Sequence, residues 1–162
     1  VRKRLNAPLT SSAGRLFDAV AALLRLCPEA CFEAEPPMRL ESIIDDSIAE
    51  DYSFDFEDST ISFAPAFREM VDDLNSGVSP SAISTKFHNT VVEVIVQGAL
   101  RMQKAYGLKK VVLSGGTFQN KYLTEQTIYR LEQANFQVYT NRLVPCNDGG
   151  ISLGQLAIAA NK

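Results

Sequence analysis

Apolar residues return at helical spacing early in the chain: Leu16, Phe17, Val20, Leu23 and Leu24 share one face of residues 11–26. Ser11 or Ser12 stands where a helix N-cap belongs, and Pro28, which has no N–H to donate, is expected to end the segment. A shorter helix is predicted after Pro36-Pro37, proline being tolerated in a first turn, with Met38, Leu40, Ile43 and Ile44 as its buried stripe. Tyr52–Phe56 and Thr60–Phe63 alternate apolar and polar positions about Glu57-Asp58-Ser59, the pattern of a hairpin with its turn. Pro65 opens a helix through Leu74 that Asn75-Ser76-Gly77 closes. Ser79-Pro80 begins the longest helix, to about Tyr106, with Ile83, Phe87, Val91, Val94, Ile95, Gly98 and Met102 along one side and Gly107 as its left-handed stop.

After Gly107 the period changes. Lys109–Leu113 is a short β-branched run suited to a buried strand, and it ends at once in Ser114-Gly115-Gly116. Residues 119–134 read as an amphipathic helix, Phe136–Thr140 as a second strand, and Gly149–Ala160 as a last, mostly apolar helix. Strand, glycine turn, helix and strand make a βαβ unit, parallel by the usual right-handed rule. The expected fold class is α/β, a βαβ unit with a helical layer and a small β-hairpin. The 162 residues have room for one domain, mainly helical over 1–107 with the hairpin near 52–63, and α/β over 108–162.

Composition and charge act here by exclusion. Apolar and charged fractions of 46% and 22% are those of a globular chain, so disorder is not expected. A net charge of -3 argues against nucleic acid or an anionic membrane as the main partner. No apolar run is long enough to span a bilayer, no signal sequence opens the chain, and Val1 in place of a starting Met suggests a piece of something longer. Cys27, Cys31 and Cys146 are odd in number, which points to a reducing compartment and hence the cytoplasm. No second Cys/His pair completes a zinc site around them, so small apolar fillers are expected.

Two glycine loops carry the candidate chemistry. Val111–Asn120 runs from a strand through a diglycine to a helix, leaving backbone N–H groups uncovered at the helix's positive end, where a phosphate could approach without meeting a Cβ. A plain tight turn explains the same residues. Val144–Gly150 again leads into a helix: Asp148 is either an N-cap or a hard oxygen ligand to a metal at the carboxyl end of the sheet. His88, the only histidine, has no nearby ligand partner in sequence and reads as a packed or half-exposed helix residue. Arg15 and Asp18, three apart, read as an intrahelical ion pair, and residues 45–58 as a solvated acidic loop and hairpin tip. There is no nucleophile–base pair and no basic aromatic groove.

Four segments in this order, SSAGRLFDAVAALL, KFHNTV, VVLSGGTFQNKYL and VPCNDGGISLGQ, resemble the C-terminal half of the HypF carbamoyltransferase family. That region is similar to the tRNA threonylcarbamoyltransferase TsaD and to the actin/hexokinase/Hsp70-like ATPase superfamily, which implies one lobe of such a fold, with 108–162 as its nucleotide- and metal-binding part. The resemblance implies a carbamoyltransferase for nickel–iron hydrogenase maturation. An upstream domain would make carbamoyl-adenylate from carbamoyl phosphate and ATP, and this one would pass the carbamoyl group to the C-terminal cysteine of a partner, HypE. It further implies that Ser114, Gly115, Gly116 and Asn120 line the nucleotide pocket, that Ser11, Ser12, Gly14 and Asp18 face the nucleotide from the other side, and that Asp148 is one ligand of an iron or zinc ion. The family's histidine ligands and its upstream domains have no counterpart in this sequence, so a fragment alone is expected to be inactive. Arg25 stands where the family usually has glycine, and Glu35-Pro36-Pro37 replaces Gln-Ala-Ala. The alternatives are a TsaD-type lobe and a non-catalytic sugar-kinase- or Hsp70-like nucleotide module.

Overall fold

The computed structural model of the chain describes residues 10–57 and 60–161. The first helix, α1 (Ala13–Leu23), starts at Ser12, whose Oγ accepts from the Arg15 amide at 3.4 Å, and it buries Phe17, Val20 and Ala21. It ends before Pro28, contrary to the expectation. Arg25 turns left-handed at φ 56°, and the amides of Arg25 and Leu26 return to the carbonyls of Ala22 and Ala21, each at 3.0 Å. This two-bond closure normally falls to glycine because a Cβ is strained there. Arg25 thus occupies a backbone position that suits glycine.

In α2 (Glu35–Ser42) the prolines lie in the first turn and Leu40 is buried, but Met38 is 57% exposed. Two residues along a helix is more than half a turn, so Met38 and Leu40 cannot share a stripe, and the helix stops before Ile43 and Ile44 reach it. The hairpin forms from β1 (Asp55–Glu57) and β2 (Thr60–Ser62), antiparallel with Phe56 opposite Ile61. It is shorter than expected. Glu57 belongs to the strand, and Asp58 and Ser59 of the expected turn lie outside the described residues.

Helix α3 (Ala64–Asn75) leads through Gly77 to α4 (Pro80–Tyr106), which Ser79 caps and Gly107 closes at φ 69°. The middle of α4 is the axis of the core: Ile83, Phe87, Val91, Val92, Val94 and Val96 are buried. The helix then outruns the core, so Met102 on the expected apolar side is exposed.

Strands β3 (Lys110–Leu113) and β4 (Gln137–Thr140) pair in parallel, Lys110 opposite Gln137 and Leu113 opposite Thr140, joined by α5 (Lys121–Gln133). The βαβ unit is as expected, and α4 and α5 pack together beside it. One face of the strand pair, Val111, Leu113 and Val138, joins the core; on the other, Val112 is 70% exposed and its register partner Tyr139 is exposed too. The strand expected to be buried is covered on one side only. Helix α6 (Ile151–Ala160) is exposed along its whole length, including Ile151, Leu153, Leu156 and Ile158. Among the described residues no helix is long and apolar enough to cross a membrane. The cysteines are free, and only Cys27 is the buried filler expected; Cys31 is exposed and Cys146 half-buried.

Arg25→Gly should stabilise the chain. Relief of a left-handed Cβ is worth roughly 1–2 kcal/mol and the added entropy of unfolded glycine offsets roughly half of that. Denaturant midpoints should therefore rise in Arg25→Gly; a fall would mean that the exposed Arg25 side chain contributes more than the backbone strain costs.

Candidate functional site

Four segments meet around an open cleft of about 740 Å³: the start of α1, the start of α2, the turn after β3 and the loop before α6. Of the residues singled out by sequence, Ser12, Gly14, Gly116, Asn120 and Asp148 line it. Ser11, Ser114 and Gly115 are exposed and do not line the cleft themselves. Asp18 is held by Arg15 at 2.8 Å, the ion pair expected of them. Sequence reasoning missed the opposing wall of Ala34, Pro37 and Met38, although the diproline marked the helix start that presents it.

The diglycine enters a 3-10 turn (Gly116–Gln119) rather than α5 itself, which begins two residues later than the expected start. Gly115 has φ 109° and ψ 157°, a region open essentially to glycine alone. Its amide donates to the Cys146 carbonyl at 2.7 Å, which ties the two glycine loops together. The positive end of α5 is already filled by protein: Glu41 Oε1 accepts from the amides of Lys121 (2.7 Å) and Tyr122 (3.2 Å), and Asn120 Oδ1 from Leu123 (2.8 Å). The expected approach of a phosphate to that helix end is therefore closed. Among the described residues, the amides of Gly116 and Thr117 have no acceptor, and both residues face the cleft.

Both ends of the Asn120 carboxamide are engaged. Its Oδ1 caps α5 while its Nδ2 donates to Nε2 of His88 at 2.9 Å. His88 Nδ1 lies 2.8 Å from the Ser84 carbonyl, which can only accept, so Nδ1 carries the proton and Nε2 is bare. The ring is completely buried, and that burial pushes its pKa down from 6.5 to about 4.

Asp148 does not cap. It opens a 3-10 turn, Asp148–Gly150, that Asn147 Oδ1 caps by accepting from the Gly149 amide at 3.0 Å, while α6 itself starts after Gly150 with no side-chain cap. The Asp148 carboxylate has no hydrogen bond or ion pair among the described residues. A Cβ on Gly149 would lie 3.1 Å from both Asn147 Oδ1 and Pro145 Cγ, so a side chain there would push these two groups back by a few tenths of an ångström. A free carboxylate facing a cleft fits a metal ligand. Among the described residues, however, no three His, Cys, Asp or Glu side chains come together to hold an ion, so Asp148 could be only one ligand of a site completed elsewhere. Among the described residues, Glu33, Glu41 and Asp148 line the cleft and no Lys, Arg or His does.

Residues 1–155 match a family model described as the carbamoyltransferase Kae1-like domain, second subdomain. The chain is 38% identical over 157 residues to carbamoyltransferase HypF of Synechocystis, covering 95% of this chain and 20% of that protein. It is also 38% identical over 161 residues to HypF of Rhodobacter capsulatus, covering 99% and 21%. A crystal structure of full-length HypF in a phosphate- and nucleotide-bound form superposes with a TM-score of 0.89 at 44% identity, over 98% of this chain and 21% of that one. HypF of T. kodakarensis gives 0.81 at 28% identity, over 92% and 20%. The chain thus spans about a fifth of the length of these relatives. Its α/β architecture is that of one lobe of the ATPase-like fold the sequence led us to expect.

The buried imidazole makes stability depend on pH. The unfolded chain takes up a proton on His88 near pH 6.5, whereas the folded one resists until about pH 4. Stability is therefore complete above 6.5 and falls as pH drops towards 4, by on the order of 3 kcal/mol at the lower end. His88→Gln, which cannot protonate, should show a shallower loss than wild type in denaturant melts across that window; equal slopes would mean that the imidazole is not held neutral.

Proposed function

The chain belongs to the HypF carbamoyltransferase family, and we propose that its cleft forms the nucleotide-side wall of a carbamoyl-transfer site in the full-length protein. The observation that carries this reading is the pair of unpartnered amides, Gly116 and Thr117, across a cleft from the apolar wall of Pro37 and Met38 and beside the free carboxylate of Asp148. Two adjacent unpartnered N–H groups suit a phosphoryl oxygen, and an apolar ledge suits a purine face. The full-length HypF relative solved in a phosphate- and nucleotide-bound form supports the same assignment.

In this reading an upstream domain joins carbamate, released from carbamoyl phosphate, to the α-phosphate of ATP, with loss of pyrophosphate. The product is carbamoyl-adenylate, a mixed anhydride. The C-terminal cysteine thiolate of HypE attacks its carbamoyl carbon, a C–S bond forms, the C–O bond to phosphate breaks, and AMP carries away the charge. The residues of this chain do positioning and electrostatic work on the leaving group. Gly116 and Thr117 donate to the AMP phosphate, Gly115 holds the loop by its bond to Cys146, and Asn120 fixes the turn. Ser12 and Gly14, flanked by Ser11 and Asp18, face the nucleotide from α1, and Ser114 flanks it at the end of β3. Asp148 would be one ligand of an iron or zinc ion that supplies positive charge against the reacting oxygens. Among the described residues the cleft lining carries Glu33, Glu41 and Asp148, and a metal ion held there would offset their charge beside a nucleotide's phosphates. The setting would be nickel–iron hydrogenase maturation in the cytoplasm.

Two substitutions in the full-length protein test this. A Cβ on Gly116 meets no atom within 4 Å and its φ is not left-handed, whereas Gly115 at φ 109° tolerates no side chain without strain. Gly116→Val should keep the melting temperature and lose nucleotide affinity at least tenfold; Gly115→Ala should lose roughly 1–3 kcal/mol of stability with or without nucleotide. Calorimetric titration with an ATP analogue beside apo melts separates them, and wild-type affinity in Gly116→Val would reduce the diglycine to a turn. Asp148→Asn should leave the melt unchanged, since the carboxylate has no protein partner, while metal content and transfer rate both drop. Unchanged metal content would remove Asp148 from the site.

A further inference from the structure

His88 lies beneath the cleft, between its two walls. The ring meets the edge of Phe17 from α1 at 5.2 Å and of Tyr122 from α5 at 5.8 Å, both T-shaped, with Phe87 at 5.8 Å on its own helix. Phe17 is itself a lining residue of the α1 wall. On the other side Asn120 donates its side chain to His88 and its backbone amide to the Thr117 carbonyl at 3.2 Å, closing the 3-10 turn. A continuous path of hydrogen bonds therefore runs from the Ser84 carbonyl on α4 through the imidazole and the carboxamide to Thr117.

From this path we infer that His88 is a positioning residue of the cleft: its bare Nε2 orients Asn120, and through Asn120 the turn that presents the Gly116 and Thr117 amides. The inference rests on the nucleotide reading for its purpose, though not for its geometry. A residue wanted only to fill the core would be Leu or Phe, with no nitrogen to satisfy. Here the direction of each bond is fixed. Turning the Asn120 amide over would set its NH₂ against the Leu123 amide, donor against donor, and protonating Nε2 would do the same against Asn120 Nδ2. Tyr122 and the chain's one imidazole are the titratable groups in contact here; the other faces are Phe17, Phe87, Ser84 and Asn120. Amides displaced by about an ångström no longer aim at a phosphate, so a loosened Asn120 should be felt in binding.

The test uses the full-length protein and two variants. His88→Gln places an acceptor about where Nε2 was, whereas His88→Asn keeps a donor for the Ser84 carbonyl but is too short to reach Asn120. Amide hydrogen exchange of the apo protein and calorimetric titration with magnesium-ATP are both read. We expect His88→Asn to speed exchange within 114–123 while 80–106 stays protected, and to weaken ATP binding about tenfold; His88→Gln should remain within about twofold of wild type in both. Identical behaviour of the two variants, or exchange rising throughout α4 in both, would make His88 a core residue and overturn the inference. Should His88→Asn not fold, Asn120→Ser keeps a cap for α5 but cannot reach His88, and it must loosen the same segment; if 114–123 stays protected, the inference is lost. Localised loosening in a wild-type background that binds no ATP would overturn the nucleotide reading and leave the positioning of the turn intact.

Discussion

Buried polar groups must find partners, and in this chain that constraint falls on α4. Ser84, Thr85, His88 and Thr90 are all buried on a helix whose other inward residues are aliphatic or aromatic. Each settles its account by seizing another segment. Ser84 Oγ donates to the Leu40 carbonyl at the end of α2 at 2.6 Å; Thr85 and Thr90 accept from the amides of Asp45 and Tyr52 at 2.9 and 2.8 Å. Asn89 binds the carbonyls of Ile48 and Glu50 and takes the Tyr122 hydroxyl from α5. The irregular stretch between α2 and β1, which has no regular structure to satisfy its backbone, is fixed by these side chains. Thr127 Oγ1 alone among the described buried side-chain atoms lacks a partner, so the network is nearly closed.

The same constraint relocates the chemistry of the diglycine. A helix N-terminus after a glycine turn is a standard anion site, but α5 spends its first amides on Glu41 and Asn120. Glu41 lies eighty residues away in sequence, so nothing local to the diglycine reveals that the end is occupied. What remains for a ligand is the turn ahead of the helix, held in place from both sides by the Gly115–Cys146 bond and the His88–Asn120 bond.

Much of the fold was legible because it rests on local rules. Ser79 and Gly107 bracket α4 as read, the parallel pair forms across α5, and Arg15 and Asp18 meet as two charges one helical turn apart. The misreadings share a cause: periodicity says which residues lie on one face, not what covers that face. Val112, Met102 and the residues of α6 carry the pattern of core positions and are exposed, because no neighbouring layer reaches them. Met38 failed differently, through a stripe assembled from positions that a helix does not align. In the cleft, the glycine loops were visible as motifs, whereas Glu33, Glu41 and Met38 reach it only through tertiary packing. Asp148 lost its capping alternative because a 3-10 turn, capped by Asn147, comes between it and α6, a shift of the helix start that spacing cannot show.

Helix α6 has no polar side: its ten residues include only Ser152 and Gln155 with side chains that hydrogen-bond. Apolar surface of this kind binds with a negative heat-capacity change, and its attraction weakens on cooling. Any contact made through Ile151, Leu153, Leu156 and Ile158 would therefore be cold-labile. The loop carrying Asp148 is continuous with the first turn of that helix, so the cold-lability of such a contact would be felt next to the cleft.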